Sequence, residues 1–436
     1  MASTLSATAR RHLRRNFSLG LVNGALFNLS NSLLDPSLVL TWLASQLTSS
    51  NFLIGLVVPI NQGGWFLPQL LVSGYLQGRK RKLPLYVAMS APRAICWALM
   101  ALALFLIADR TVLLILFYTL LTVYSLGGGL GGLSFMDIVA KAIPSTRRGA
   151  FFGWRRFLGG VLALGGSLVV QYVLDERRGL AFPHNFGVLF TLSFLTISAA
   201  MISFGFFVEP VEPVLNRSVA LLGQVKRALH LPRRDANYGC FLAVQFLARA
   251  AGMATPFYIV YAKRALGVSA SMVGIYLTWF TLAGIASTLV WGRISDRRGN
   301  RELILLTSLV GLATPLAALL IPLLVSWQPS VAAQAPYAFA VVFALSSIFQ
   351  MGLMIGYHNY LLDIAPAEDR PLYIGLANTL TGLTLLASAV GGLIVDLAGL
   401  TVLFWVAVAF YAGTLLLAGR LQEPRETVRR NPVFPV

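Results

Sequence analysis

The chain has 436 residues, of which 57% are hydrophobic and only 11% charged. Soluble proteins carry about 25% charged residues, and the mean hydropathy here is +0.74, so most side chains must face lipid. A soluble fold, disorder and a coiled coil are excluded on these grounds. A formal net charge of +18 would point to nucleic acid, unless the bases follow membrane topology.

A membrane-crossing helix needs about 20 mostly apolar residues. Twelve stretches qualify in chain order: 17–43, 52–75, 84–108, 111–137, 150–174, 185–207, 238–261, 271–294, 302–326, 335–362, 371–395 and 400–419. Arg10, Arg11, Arg14 and Arg15 before the first stretch imitate a signal peptide. A signal's apolar region is about 7–15 residues long. This span is longer and carries Asn28, Asn31, Asp35 and Pro36, so it reads as a retained helix.

Numbered from the first, alternate connections collect the bases. Of 34 Lys and Arg, 27 fall on one side and five on the other, while Arg93 and Arg249 lie inside spans. Positive charge gathers on the cytoplasmic side. Both termini are therefore expected in the cytoplasm, and the charge needs no nucleic-acid partner. The lipid bilayer is the partner implied. An odd number of spans would scramble this segregation.

The chain also repeats itself. Pro144, Arg148, Gly153 and Gly160 recur 222 residues later as Pro366, Arg370, Gly375 and Gly382. The expected organisation is a six-helix bundle over 1–208, a cytoplasmic linker over 209–236 broken by Pro210, Pro213 and Pro232, and a second bundle over 237–436. Both bundles start on the same side, which makes them parallel repeats.

Between spans 8 and 9 stands Gly292-Arg293-Ile294-Ser295-Asp296-Arg297-Arg298-Gly299-Asn300-Arg301. It resembles the loop signature of the major facilitator superfamily, G-x-L-x-D-R-x-G-R-R/K, with Ile for Leu and Asn300 at one basic position. The first copy, Gly74 to Lys82, is degenerate: Gly78 replaces the acid and Arg81 the later Gly. With twelve spans and a six-plus-six repeat, the resemblance covers the whole chain. It implies an all-α fold of twelve transmembrane helices in two six-helix repeats. Span 5 reads Gly159-Gly160-Val161-Leu162-Ala163-Leu164-Gly165-Gly166, without the Pro that drug/proton antiporters carry there. Leu34-Asp35-Pro36-Ser37-Leu38-Val39 is loosely similar to an L-D-x-T-V element of some drug exporters.

No G-x-x-x-x-G-K-[ST] loop is present, so ATP hydrolysis by that route is excluded. There is no H-E-x-x-H motif, and Cys96 and Cys240 lie far apart, so no metal and no cofactor is expected. The run Gly127-Gly128-Gly129-Leu130-Gly131-Gly132 lies late in an apolar helix, where close helix packing is the expected role. The chain does not read as an enzyme.

Polar groups at membrane depth are costly and face a protein interior or a wet cavity. Asn28, Asn31 and Asp35 share one face of span 1 by their spacing of three and four. Span 7 offers Gln245 and Arg249, span 2 Asn61 and Gln62, and span 10 His358. The resemblance places helices 1, 4, 7 and 10 around a central cavity, and it places helix 3, with Arg93, at the periphery. Asp35 is the candidate coupling group, because an isolated carboxylate in low dielectric favours its neutral form and can exchange protons. Its competing role is to satisfy amides released at Pro36. For Arg249 a buried structural ion pair competes, and for His358 an interfacial position.

A cytoplasmic gate is the second expectation. Gly292, Asp296, Arg297 and Gly299 would meet Arg148 at the start of helix 5. Arg79 of the basic first loop would meet Asp363, Glu368, Asp369 and Arg370 ahead of helix 11. The reading is a secondary active transporter of a small organic solute by alternating access, coupled to protons through Asp35, with efflux favoured. A monomer in a bacterial inner membrane is expected. The rival from another class is a non-transporting assembly factor or lipid-handling protein on the same scaffold.

Overall fold

The computed structural model describes residues 7–77, 80–211, 229–366 and 369–423, and all secondary structure in them is helical. The first helices are α1 (Ala7–Leu33), α2 (Thr41–Leu47), α3 (Asn51–Gln77), α4 (Leu83–Leu106), α5 (Arg110–Ala142), α6 (Ser145–Val173) and α7 (His184–Gly205). Then follow α8 (Ala236–Ala250), α9 (Thr255–Leu266), α10 (Met272–Arg298), α11 (Asn300–Trp327), α12 (Ala340–Gly352), α13 (His358–Ile364), α14 (Arg370–Thr384), α15 (Ala387–Ala398) and α16 (Leu400–Ala418). Among the described residues ten segments are long and apolar enough to cross a membrane. The first two expected spans are occupied by α1 and α3, each helical for 27 residues. Large apolar side chains stand exposed along these helices, Leu106 at 79% and Leu397 at 87%, as lipid contact requires.

The chain divides into two compact units. The first holds residues 1–49, 57–218 and 269–278, and the second holds 50–56, 219–268 and 279–436. The linker expected over 209–236 lies largely outside the described residues.

Several helices break where the sequence frees backbone groups. After α1 the chain makes a π-helical turn at Pro36–Leu40, then continues as α2. Proline has no N–H to give its helix. Asp35 supplies the cap, its Oδ1 accepting from Ser37 N and Leu38 N at 2.9 Å each. Span 7 breaks slightly before Pro256, as a 3₁₀ turn at Ala251–Ala254, and Pro256 then sits in the first turn of α9, where its missing N–H costs nothing. Span 10 has a π-helical turn at Leu353–Tyr357, and span 11 is interrupted at Leu385 and Leu386. The sequence reading anticipated neither.

In the first unit α1 packs against α6 and α7, and α4 against α5 and α7. Its clustered core includes Tyr86, Ile138, Phe151 and Phe204. In the second unit a core of Tyr238, Phe241, Tyr360 and Tyr411 joins α8, α13 and α16.

Candidate functional site

Within the first unit the helices leave a cavity of about 360 Å³, lined by Phe27, Asn31, Asn61, Gln62, Arg93, Tyr124, Ser125 and Gly128. Its walls come from α1, α3, α4 and α5. Two glycine contacts set its shape. A Cβ on Gly64 of α3 would overlap Ser125 of α5, so the two backbones touch beside Asn61 and Gln62. A Cβ on Gly127 would stand 3.0 Å from Arg93 Cγ, and one on Gly128 would stand 3.5 Å from the guanidinium carbon. The glycine run of α5 is thus close packing, and the group packed there is an arginine side chain.

Arg93 belongs to the α4 wall. Its guanidinium carbon lies 4.4 Å from the Tyr124 ring centroid and 5.6 Å from that of Phe27. Tyr124 in turn stacks on Trp97, with centroids 4.0 Å apart. Cations over aromatic faces gain about 0.5–2 kcal/mol. Among the described residues Arg93 Nε and Ser125 Oγ are buried without a hydrogen-bond partner. The sequence reading placed Arg93 outside the substrate path. In the structure it is the charged group of the cavity among the described residues.

The candidates on α1 separate. Asn31 is exposed on the cavity wall. Asn28 turns back, its Nδ2 donating to Gly24 O at 2.7 Å, with Gly159 packed closely beside it. Asp35 caps the π turn as described. In the second unit Gln245 Nε2 donates to Thr381 Oγ1 at 3.1 Å, and Gln245 Oε1 and Arg249 Nε are buried without partners. Arg249 lies next to Tyr357. His358 is exposed.

The residues proposed for the gate have the following places within their own units. Arg148 Nε donates to Ile143 O at 2.9 Å and its Nη2 donates to Ala140 O, so its guanidinium caps the end of α5. Asp296 and Arg297 are exposed on the last turn of α10, and Gly292 faces open space. Gly299 has φ 95°, a conformation that a side chain disfavours, and it sits against the Glu423 carboxylate. Asp363 Oδ2 accepts from Asn300 Nδ2 at 2.7 Å. Asp369 and Arg370 are exposed at the start of α14, and Arg79 and Glu368 lie outside the described residues.

The sequence reading missed an ionic cluster in the first unit. Asp137 pairs with Lys82 at 2.6 Å and with Lys141 at 2.7 Å. Glu209, its side chain 1% exposed, pairs with Lys141 at 3.5 Å and accepts from Lys82 N and Leu83 N at 2.8 Å. The basic first loop, without an acid of its own, therefore meets acids from the end of α5 and from beyond α7. A similar clasp holds the start of α11 in the second unit, where Glu423 Oε2 accepts from Arg301 N at 3.0 Å. Also in the second unit, Asp396 accepts from Asn51 N, Asn51 Nδ2 and Phe52 N, and Arg264 donates to Asn51 Oδ1 at 3.0 Å.

Comparison with known proteins agrees with this fold. Residues 240–435 match the family model described as Major Facilitator Superfamily. An uncharacterized protein of Mycobacterium tuberculosis is 21% identical over 275 residues, 61% of this chain and 50% of that protein. The chain thus spans about half the length of the curated relatives it matches. A D-xylose-proton symporter superposes with a TM-score of 0.69 at 14% identity, over 95% of this chain and 99% of its own. The nucleoside transporter NupG gives 0.67 at 14% identity, over 93% and 98%. A bacterial metal transporter gives 0.64 at 13% identity, over 94% and 99%. At such low identity these likenesses show the fold. With the loop signature beside it, residues 240–435 match the major facilitator superfamily, an integral membrane family of transporters and not of enzymes, and the fold of the whole chain is like that of solved transporters.

Proposed function

We propose that the protein is a secondary active transporter of a small organic solute, working by alternating access of two parallel six-helix repeats with twelve spans in all. The observation that carries this reading is the open cavity of about 360 Å³ between helices of membrane length, lined by aromatic rings together with amide, hydroxyl and guanidinium groups. That volume lies at the small end of ordinary ligand pockets, roughly 300–1,000 Å³. Asn31, Asn61 and Gln62 supply hydrogen-bonding groups at a depth where lipid would offer none. The structurally similar proteins carry a sugar, a nucleoside or a metal, which supports solute transport without choosing the solute.

In this reading the protein works as a monomer in a bacterial inner membrane, with both termini in the cytoplasm. Asp35 couples transport to protons, and efflux is the working direction. Asp296 and the charges around it close the cytoplasmic side. Purified protein in liposomes tests the reading. Counterflow and pH-driven uptake are measured for sugars, nucleosides, divalent metals and organic acids. Saturable, gradient-dependent movement of one class supports it. Absence of movement in every class, with the protein folded and correctly inserted, overturns it in favour of a non-transporting role.

A further inference from the structure

Arg93 is 7% exposed, and among the described residues no hydrogen bond or ion pair reaches it. Among the described residues no acid lines the cavity around it. The acid one turn beyond Asn31, Asp35, has its Oδ1 engaged by the Ser37 and Leu38 amides. Removing a cation from water costs several kcal/mol, and the faces of Tyr124 and Phe27 return only part of that. A charge left in this condition at membrane depth marks a functional position.

The surroundings are shaped to keep it there. Gly127 and Gly128 leave the volume that the side chain occupies. Asn31, Asn61 and Gln62 bring neutral amides to the cavity, and among the described residues Ser125 Oγ is buried with no partner. A guanidinium with neutral donors and aromatic faces, and without a carboxylate, is complementary to an oxyanion attached to an apolar body. Guanidinium binds carboxylate and phosphate groups through two parallel N–H bonds.

We infer that Arg93 is an anion-binding residue, and that the solute taken into this cavity is a small organic anion bearing a carboxylate or phosphate group. This rests on the transporter reading and narrows its substrate class. A solute or the headgroup of an anionic lipid presents the same chemistry, so the experiment separates them.

The test uses the full chain in nanodiscs of phosphatidylcholine, with and without phosphatidylglycerol. Thermal stability is titrated with benzoate, phenyl phosphate and the neutral isostere benzamide. Benzoate or phenyl phosphate should stabilise the wild type and benzamide should not, since ligand binding to the native state raises stability. Arg93→Gln should weaken the anion response about tenfold or more, as expected for loss of a charge-assisted pair, and Arg93→Lys should retain part of it. Unliganded Arg93→Gln should be at least as stable as the wild type, because an uncompensated charge has gone. A response equal in both disc types assigns the site to solutes. A response abolished by phosphatidylglycerol assigns the anion to a lipid headgroup and overturns the solute claim.

If neither anion stabilises the wild type, or if Arg93→Gln lowers stability and leaves the anion response intact, Arg93 is a structural residue and the inference is wrong. Arg93-dependent benzoate binding without uptake into liposomes sinks the transport reading alone. Uptake of a neutral solute unaffected by Arg93→Gln sinks the anion site and spares transport.

Discussion

Asp35 has two roles that one pair of substitutions separates. Its Oδ1 accepts two amide bonds at 2.9 Å and starts the π turn at Pro36. Asparagine keeps an oxygen in that place and is as good an N-cap as aspartate. Asp35→Asn should therefore change stability by less than about 0.5 kcal/mol. Alanine leaves both amides without an acceptor. Losing an N-cap costs about 0.5–2 kcal/mol, and burial of the freed amides puts the loss at the upper end, so Asp35→Ala should cost about 1–3 kcal/mol. Transport reads the other role. A gradient of one pH unit is worth about 1.4 kcal/mol per proton, or about tenfold accumulation. Wild-type liposomes should approach that ratio if one proton moves with, or against, each solute. Asp35→Asn should abolish it and retain counterflow exchange. The assays are thermal denaturation in detergent and paired pH-driven and exchange flux on the same preparations. Full pH-driven accumulation in Asp35→Asn refutes the coupling role and leaves Asp35 as a cap.

Other expectations follow from named contacts. Glu209→Ala removes the acid that Lys82 N, Leu83 N and Lys141 share; breaking such a buried pair costs about 3–5 kcal/mol, and detergent melting should show Glu209→Gln falling between Ala and wild type. An undiminished melting point in Glu209→Ala contradicts the clasp. Asp296→Asn should raise labelling of cavity cysteines from the cytoplasmic side with the fold intact; unchanged labelling with lower stability would leave Asp296 a local structural residue. For topology, a single cysteine at Ser218 should need a membrane-permeant thiol reagent and one at Ser330 should not. The reverse pattern inverts the orientation.

The apolar spans could be read from the sequence because lipid dictates composition directly. Breaks announced by proline were readable too, at Pro36 and, within a few residues, at Pro256. The π turn at Leu353–Tyr357 was not. There Gly352 packs onto Thr307 and Gly356 onto Leu303, a relation between helices that no local pattern records. The same division runs through the site. Asn31, Asn61 and Gln62 stood out as polar residues in apolar runs, and all three line the cavity. Arg93 stood out equally, but the resemblance put its helix at the periphery. Its place in the cavity depends on Gly127 and Gly128 making room across a helix interface. Asp35 showed both of its possible roles in sequence, since an acid before a proline suits either. The Glu209 clasp needed tertiary structure to be seen, because its partners lie between 68 and 127 residues earlier in the chain.

That separation bears on how the protein is made. The first amides of α4 leave the ribosome long before residue 209 does. At about 5–20 residues per second, Lys82 waits roughly 6–25 s for its acceptor. Through that interval Lys82 N and Leu83 N must be met by water or lipid headgroups at the membrane surface. The helices from α4 to α7 are inserted one after another while this end of the bundle is still unfastened. Glu209 can close this end of the bundle only after α7 has been made. Glu423 stands in the same relation to Arg301, 122 residues before it, so in each unit the acceptor is synthesised after the helices whose amides it receives.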